Sequence, residues 1–178
     1  MNSTLKPVLT AIIIVLAVWG VRYIYLKPSA RNGEKLPDLS GINRYGDSVR
    51  FSDFSGEYVL LHFWGSWCGA CRKENRDLKA LFSKWSLERY GNEGSPLRIV
   101  SIGIEQSRDA WLKAIESDQL PWDDHLLADQ LFDHEIPRAF GLKKIPTLFL
   151  IDPGGTIISA DPGLSELEKL LRLRSNAN

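Results

Sequence analysis

The chain has 178 residues, enough for one ordinary domain with an appendage and short for two. Its 44% hydrophobic and 25% charged content, with 14 Gly and 9 Pro, excludes disorder, collagen and a disulfide-stapled mini-protein. The formal net charge of zero offers no basic surplus for holding nucleic acid, but it averages a net +4 over residues 1–31 and a net −4 over residues 32–178.

The first predicted element is the apolar run from Val8 to Leu26, whose one charge is Arg22. As a helix rising about 1.5 Å per residue it spans roughly 28 Å, close to the hydrocarbon thickness of a bilayer. Arg22 can snorkel to the interface, and Trp19, Tyr23 and Tyr25 suit the headgroup belt. Residues 1–31 therefore read as an uncleaved anchor with its flanks, ahead of a domain over 32–178. A cleaved signal peptide is the rival, with only Pro28-Ser29-Ala30 as a weak cleavage site. A buried core helix is the third reading, and no acidic or amide side chain after Asn2 breaks the run to favour it. Lys6 flanks one side of the run, whereas Arg22, Lys27, Arg31 and Lys35 flank the other. Counted alone, that bias places the domain in the cytoplasm.

Within residues 32–57, Gly46-Asp47 separates the Ile42 and Val49–Phe51 patches and predicts a small hairpin. Tyr58 to Trp64 is a near-continuous apolar run, as expected of a strand buried on both faces. Gly65-Ser66 ends it. A helical pattern opens at Cys68, with Cys71, Leu78, Leu81, Phe82 and Trp85 on one face. Gly91 to Pro96 reads as a loop and Leu97 to Ile104 as a second buried strand. Ser107 then caps a helix bearing Ala110, Trp111, Ala114 and Ile115. Residues 119–136, with Asp123, Asp124, Asp129 and Asp133, read as a solvated insertion. Pro137 starts a short helix ending near Gly141. Thr147 to Ile151 is a third strand, Asp152 to Gly155 a hairpin turn, and Thr156 to Ser159 a fourth strand. Ser165-Glu-Leu-Glu168 has the pattern of a capping box opening a last helix, with Leu167, Leu170 and Leu171 facing in. This order favours an α/β sheet with flanking helices.

The chemistry turns on the two cysteines, Cys68 and Cys71, which follow a buried strand and open a helix. Residues i and i+3 on a first helical turn lie on one side, near enough to form or release a disulfide. At the helix start, free backbone N–H groups favour a thiolate at Cys68. Cys71 can then attack a mixed disulfide from within the same molecule. Cys68 is thus the attacking nucleophile and Cys71 the resolving thiol. Half of a zinc site is the competing explanation; it needs two further ligands, and His62, His125 and His134 show no ligand spacing.

Phe63-Trp-Gly-Ser-Trp-Cys-Gly-Ala-Cys71 resembles the active-site motif of thioredoxin-fold proteins. Leu36-Pro-Asp-Leu, Phe51-Ser-Asp-Phe-Ser-Gly56, Cys71-Arg-Lys-Glu74, Lys144-Ile-Pro-Thr147 and Phe149-Leu-Ile-Asp-Pro-Gly-Gly155 narrow the resemblance to the membrane-anchored TlpA/ResA-like branch, over about residues 34–173. It implies a thioredoxin-like fold, a central mixed sheet flanked by helices, with an N-terminal β-hairpin extension and one N-terminal transmembrane helix. It also implies that Pro146 heads a cis-proline loop facing the disulfide, where neighbours such as Ile145 offer backbone pairing to an extended substrate. Trp67, beside Cys68, presents an apolar surface to clients, whereas Trp64 belongs to the core. The branch is exported and anchored, and reduces or exchanges disulfides in client proteins. Client disulfides, a membrane or soluble thiol donor, and the membrane itself are the implied partners. The redox-active Cys68–Cys71 pair is the only redox group implied, with no cofactor or metal.

His62 and Arg76 depart from the pattern, and Glu105 stands where related anchored reductases carry an acid close to the cysteines. His62 stands where thioredoxin has a buried acid, and is either a core histidine with one satisfied hydrogen bond or a titrating group. Glu105, at the end of the second strand, is the preferred proton acceptor for Cys71, with an exposed loop acid as the alternative. Arg76 stands where relatives have a kinking proline, which puts that bend in doubt. Two other functions fit less well. A copper carrier on the same fold would use CxxxC with a distant His, and a thiol peroxidase would place Cys after a Pro-Thr-rich loop. Disulfide chemistry makes most sense outside the cytoplasm, so the domain is expected on the extracytoplasmic side of a bacterial cytoplasmic membrane despite the charge bias.

Overall fold

The computed structural model describes residues 5–91 and 94–175. The residues before Leu5, the side chain of Lys6 and the Asn92–Glu93 tip of the predicted Gly91–Pro96 loop lie outside the described residues. Helix α1, Leu5–Tyr25, forms from the apolar run, and its Pro7–Tyr25 stretch is long and apolar enough to cross a bilayer, with none of it buried in the protein.

The sheet is built from β1 (Ser40–Asn43), β2 (Ser48–Arg50), β3 (Tyr58–Trp64), β4 (Leu97–Ile104), β5 (Asp124–Ala128), β6 (Thr147–Ile151) and β7 (Ile157–Ala160). Their spatial order is β2-β1-β5-β4-β3-β6-β7. β3, β4 and β5 run parallel, while β6 and β7 on one side and the β1–β2 hairpin on the other pair antiparallel. The expected mixed sheet with its hairpin extension is therefore present. Every residue of β3 is buried, as its unbroken apolar run requires of a strand covered on both faces.

Alternation along the strands divides the core. Leu60 and Trp64 of β3 pack with Leu148 and Leu150 of β6 against α2 (Gly69–Trp85), α3 (Arg108–Asp118) and α5 (Leu164–Arg172), which contribute Leu78, Trp85, Trp111, Leu167 and Leu171. On the other face, Val59, Leu61 and Phe63 meet Val100, Ile102, Phe149 and the Ile136 and Phe140 side chains in and after α4 (Glu135–Ala139). Phe63, Phe140 and Phe149 form a compact aromatic group with centroid separations of 4.9–5.8 Å.

Two expectations need correction. Residues 119–136 are not a solvated insertion, because Asp124–Ala128 is β5, an interior strand between β1 and β4 with His125, Leu126 and Ala128 fully buried. Its acids stay at the rim of the sheet, where Arg98 binds Asp124 at 2.9 Å and Arg44 binds Asp123 at 2.7 Å. The second concerns α5, which starts after Gly163 with no side-chain cap, so the Ser165–Glu168 capping box does not form. Pro162-Gly163 brings the chain into the helix two residues early, and Glu168 instead accepts from Arg172 at 2.7 Å and Lys84 at 3.4 Å. Arg76 lies within α2, which runs unbroken from Gly69 to Trp85.

Candidate functional site

The site forms where β3 and β4 end, with the loop leading into β6 beside them. After Trp64 the chain turns through Gly65 and Ser66, with Cys68 N–H donating to the Gly65 carbonyl at 3.1 Å. Cys68 is the N-cap of α2, and its Sγ accepts the N–H of Cys71 at 3.1 Å. The two cysteines are joined as a disulfide with Cα atoms 5.2 Å apart, an ordinary separation for such a bond. Their surroundings differ sharply: Cys68 is half-buried, whereas Cys71 has no exposed surface and joins Leu78 and Trp85 in the core. An incoming sulfur can reach Cys68 only. The free N–H groups of the first helical turn favour negative charge on that sulfur.

The other expected contact residues surround Cys68. Its Sγ lies 4.0 Å from the Ile145 carbonyl oxygen, and the Ile145–Pro146 peptide bond is cis. Thr147, immediately after, turns its hydroxyl back to the Lys144 carbonyl at 3.0 Å. Trp67 is 56% exposed yet fixed, because its Nε1 donates to the Ile104 carbonyl at 2.8 Å. Gly65 makes room for that indole: a Cβ there would lie 2.8 Å from Trp67 Nε1. Trp64 is buried in the core, as expected.

Glu105 is no exposed loop acid. It follows β4 directly, is 1% exposed, and accepts both the backbone N–H and, at 2.9 Å, the hydroxyl of Ser66. Burial pushes its pKa above the ordinary carboxylate value, and the two Ser66 bonds offset part of the rise. The Ser66 bonds hold this carboxyl two residues before Cys68.

His62 lies deeper on β3, fully buried and stacked on Trp64 with centroids 6.3 Å apart. Its Nδ1 meets Ser101 Oγ at 3.1 Å, and Ser101 Oγ also accepts Trp122 Nε1 at 2.9 Å. Having accepted from the indole, the hydroxyl can still donate to Nδ1 or accept from it, according to the tautomer of the ring. His62 Nε2 faces Glu74 Oε2 at 3.4 Å, within ion-pair distance but not aligned as a hydrogen bond. Glu74 and Ser66 are the two neighbours that sequence reasoning left without roles. Glu74 stands three residues after Cys71, so helical spacing placed it on the same face, whereas nothing local linked Ser66 to Glu105. The helix carrying the cysteines is also clamped laterally, with Arg72 bound to Asp118 of α3 through Nε at 2.5 Å and Nη2 at 2.7 Å. Among the described residues, no three His, Cys, Asp or Glu side chains come together as a metal-ligand group.

Known proteins agree with this geometry. A model of the AhpC/TSA family matches residues 32–160. A thiol-disulfide oxidoreductase ResA of Bacillus thuringiensis subsp. konkukian is 28% identical over 138 residues, covering 78% of this chain and 73% of the relative. The ResA of Bacillus subtilis is 26% identical over 137 residues, covering 77% and 70%. Among solved structures, the thioredoxin domain of a thiol-disulfide oxidoreductase from Bacteroides vulgatus superposes with a TM-score of 0.68 at 27% identity, covering 80% of this chain and 99% of that one. A thiol-disulfide oxidoreductase from Bacteroides fragilis gives 0.69 at 27% identity, covering 79% and 98%. The resemblance read from the WCxxC and Ile-Pro-Thr motifs holds among these relatives, and the thioredoxin-like fold it implied holds among the solved structures.

Proposed function

Because the chain belongs to the AhpC/TSA family, we propose that it is a thiol–disulfide oxidoreductase that reduces or exchanges disulfides in client proteins through Cys68 and Cys71. The observation that carries this reading is the unequal placement of the pair. Cys68 is half-buried at the start of α2 and receives an N–H from Cys71, while Cys71 is sealed in the core.

In the reducing direction both cysteines begin as thiols. The Cys68 thiolate attacks one sulfur of a client disulfide; a mixed disulfide forms and one client thiolate leaves. Cys71 then loses its proton and attacks Cys68 Sγ, which closes the Cys68–Cys71 bond and expels the second client thiolate. The client gains two electrons and the protein loses two, so an external dithiol donor must reset it. Glu105, whose burial raises its pKa and so makes its carboxylate a stronger base than an exposed one, takes the Cys71 proton. His62, which faces Glu74 across 3.4 Å, is the second residue assigned to the site. Trp67 supplies an apolar face and the Ile145 carbonyl a backbone acceptor for an extended client beside Pro146, the mode of strand addition.

We assign residues 1–31 to an anchor in a bacterial cytoplasmic membrane, with the thioredoxin-like domain over 32–178 on its extracytoplasmic side. The unburied apolar α1 supports the anchor, and the oxidising compartment supports the side.

Insulin-type reductase turnover by the full chain tests the function. Cys68→Ser should abolish turnover, and Cys71→Ser should accumulate client mixed disulfides on Cys68. Full turnover by Cys71→Ala would sink the dithiol mechanism.

A further inference from the structure

The cations on the domain side of α1 have no part in the thiol chemistry. Arg22, Lys27 and Arg31 line, together with Lys144, a cavity of about 940 Å³ between the end of α1 and the domain. Its walls are held in place by the domain. The N–H groups of Ser29 and Ala30 both donate to the Phe140 carbonyl, at 3.1 and 3.2 Å. Lys143 Nζ sits 4.1 Å from the Tyr25 ring centroid, and a side chain at Gly141 would collide with Ser29.

The charge in this cavity is unbalanced. Four cations face two carboxylates, Asp161 and Glu166, and Asp161 is already paired with Lys144 at 2.7 Å. Lys27 Nζ lies over the Tyr23 ring at 4.9 Å. Among the described residues, no carboxylate forms an ion pair with the guanidinium of Arg22 or Arg31. Planar guanidinium groups are suited to bidentate contact with phosphate oxygens.

We infer that this cavity binds the phosphate of an anionic phospholipid, held by Arg22, Arg31 and Lys27. The inference rests on the reading of α1 as a membrane anchor. With α1 in a bilayer, Trp19 and Tyr23 mark the headgroup level, and both line the cavity, which therefore opens at the depth of the lipid phosphates. The apolar side of α1, continuing away through Val15 and Leu16, offers a path for acyl chains that free phosphate would not use. Lipid binding also accounts for the charge bias that by itself argues against an extracytoplasmic domain. Juxtamembrane cations attract anionic lipid in either leaflet, so these have a use apart from setting orientation.

The test is native mass spectrometry of the full chain, extracted in mild detergent and offered equal phosphatidylglycerol and phosphatidylcholine. Phosphatidylglycerol should be retained in preference, and Arg22→Gln with Arg31→Gln should cut that preference about twenty-five-fold, since each surface cation contributes about fivefold. Arg22→Lys with Arg31→Lys keeps the charge and loses the bidentate contact, so it should retain an intermediate preference, which separates charge from loss of fold. Equal retention of the two lipids, or a preference untouched by the glutamine pair, overturns the site. Displacement of the lipid by millimolar glycerol phosphate overturns it too, in favour of a free phosphate ligand. Carbonate washing of membranes separates the two levels. Release of the chain defeats the anchor and the site together, whereas a retained chain with no lipid preference defeats the site alone.

Discussion

Replacing His125 with Phe should remove a defined part of the acid sensitivity of the fold. His125 lies in β5 with no exposed surface; its Nε2 donates to the Trp122 carbonyl at 2.9 Å, and Nδ1 has no hydrogen-bond partner among the described residues. Burial, above all, drives its pKa from 6.5 down to about 4. The folded chain therefore keeps the ring neutral while the unfolded chain protonates it. Its contribution is whole above pH 6.5 and is lost as the pH falls towards about 4. At about 1.36 kcal/mol per unit of pKa difference, the full loss is roughly 3 kcal/mol, of which about 2 kcal/mol is gone by about pH 5. The Phe variant forfeits the bond to the Trp122 carbonyl and starts about 1 kcal/mol less stable at neutral pH. Urea unfolding of the full chain in detergent, followed by Trp fluorescence between about pH 7 and about pH 5, reads the difference. Carboxylates titrate in both proteins and cancel in the comparison, so the two curves should cross, the Phe variant being about 1 kcal/mol less stable at neutral pH and about 1 kcal/mol more stable near about pH 5. Parallel curves would mean that His125 is not held neutral in the sheet, and the interior placement of β5 would be wrong.

Three further changes probe neighbouring parts of the molecule. Gly103→Ala would drive a methyl group into the Trp111 indole; the overpacking should cost about 1–3 kcal/mol, and an unchanged urea midpoint would contradict it. Arg98→Gln frees Glu57 and Asp124, which Arg98 binds through Nη2 and Nη1 at 2.9 Å each; because Arg98 is partly exposed the loss should be only about 1 kcal/mol. Arg98 holds the Glu57 carboxyl below its ordinary pKa, so that contribution is present above the usual carboxylate range and fades as the pH falls through it, and the two proteins should match in acid. Glu105→Gln should stabilise the fold at neutral pH, since a carboxyl with a raised pKa costs stability as the pH climbs through its titration. The same variant should lengthen the lifetime of client mixed disulfides in quenched-flow gels, and an unaltered lifetime would remove Glu105 as the proton acceptor for Cys71.

The strands that sequence reasoning found share one property: each carries its own apolar run. Tyr58–Trp64, Leu97–Ile104 and Thr147–Ile151 coincide with β3, β4 and β6 residue for residue. β5 has the sequence Asp-His-Leu-Leu-Ala, with an acid and an imidazole at one end. Its burial depends on contacts that no apolar pattern announces, with Arg98 from β4 compensating Asp124 and the nearby Trp122 carbonyl accepting from His125. The capping box at Ser165 was a valid local pattern that lost to the backbone entering α5 from Gly163. At the site, Cys68, Cys71 and the Pro146 loop were legible because a strand-to-helix turn and a cis-proline loop carry compact motifs. The Ser66–Glu105 and His62–Glu74 contacts each join separate elements, and only register between β3 and β4 and the facing of α2 bring them together.

The short passage from α1 to the domain has a kinetic consequence. Only Leu26, Lys27 and Pro28 separate the end of α1 from Ser29, the first residue bonded to Phe140, and Phe140 stands five residues before Ile145 at the dithiol. With α1 in a bilayer, Cys68 is confined to a thin layer above the lipid and cannot range through the bulk. Encounters with other membrane-held proteins then become two-dimensional searches at high local concentration, while freely diffusing clients meet the dithiol only by arriving at the surface. Lengthening this three-residue passage with a flexible Gly-Ser insert would trade the first kind of partner for the second without altering a single atom of the active site.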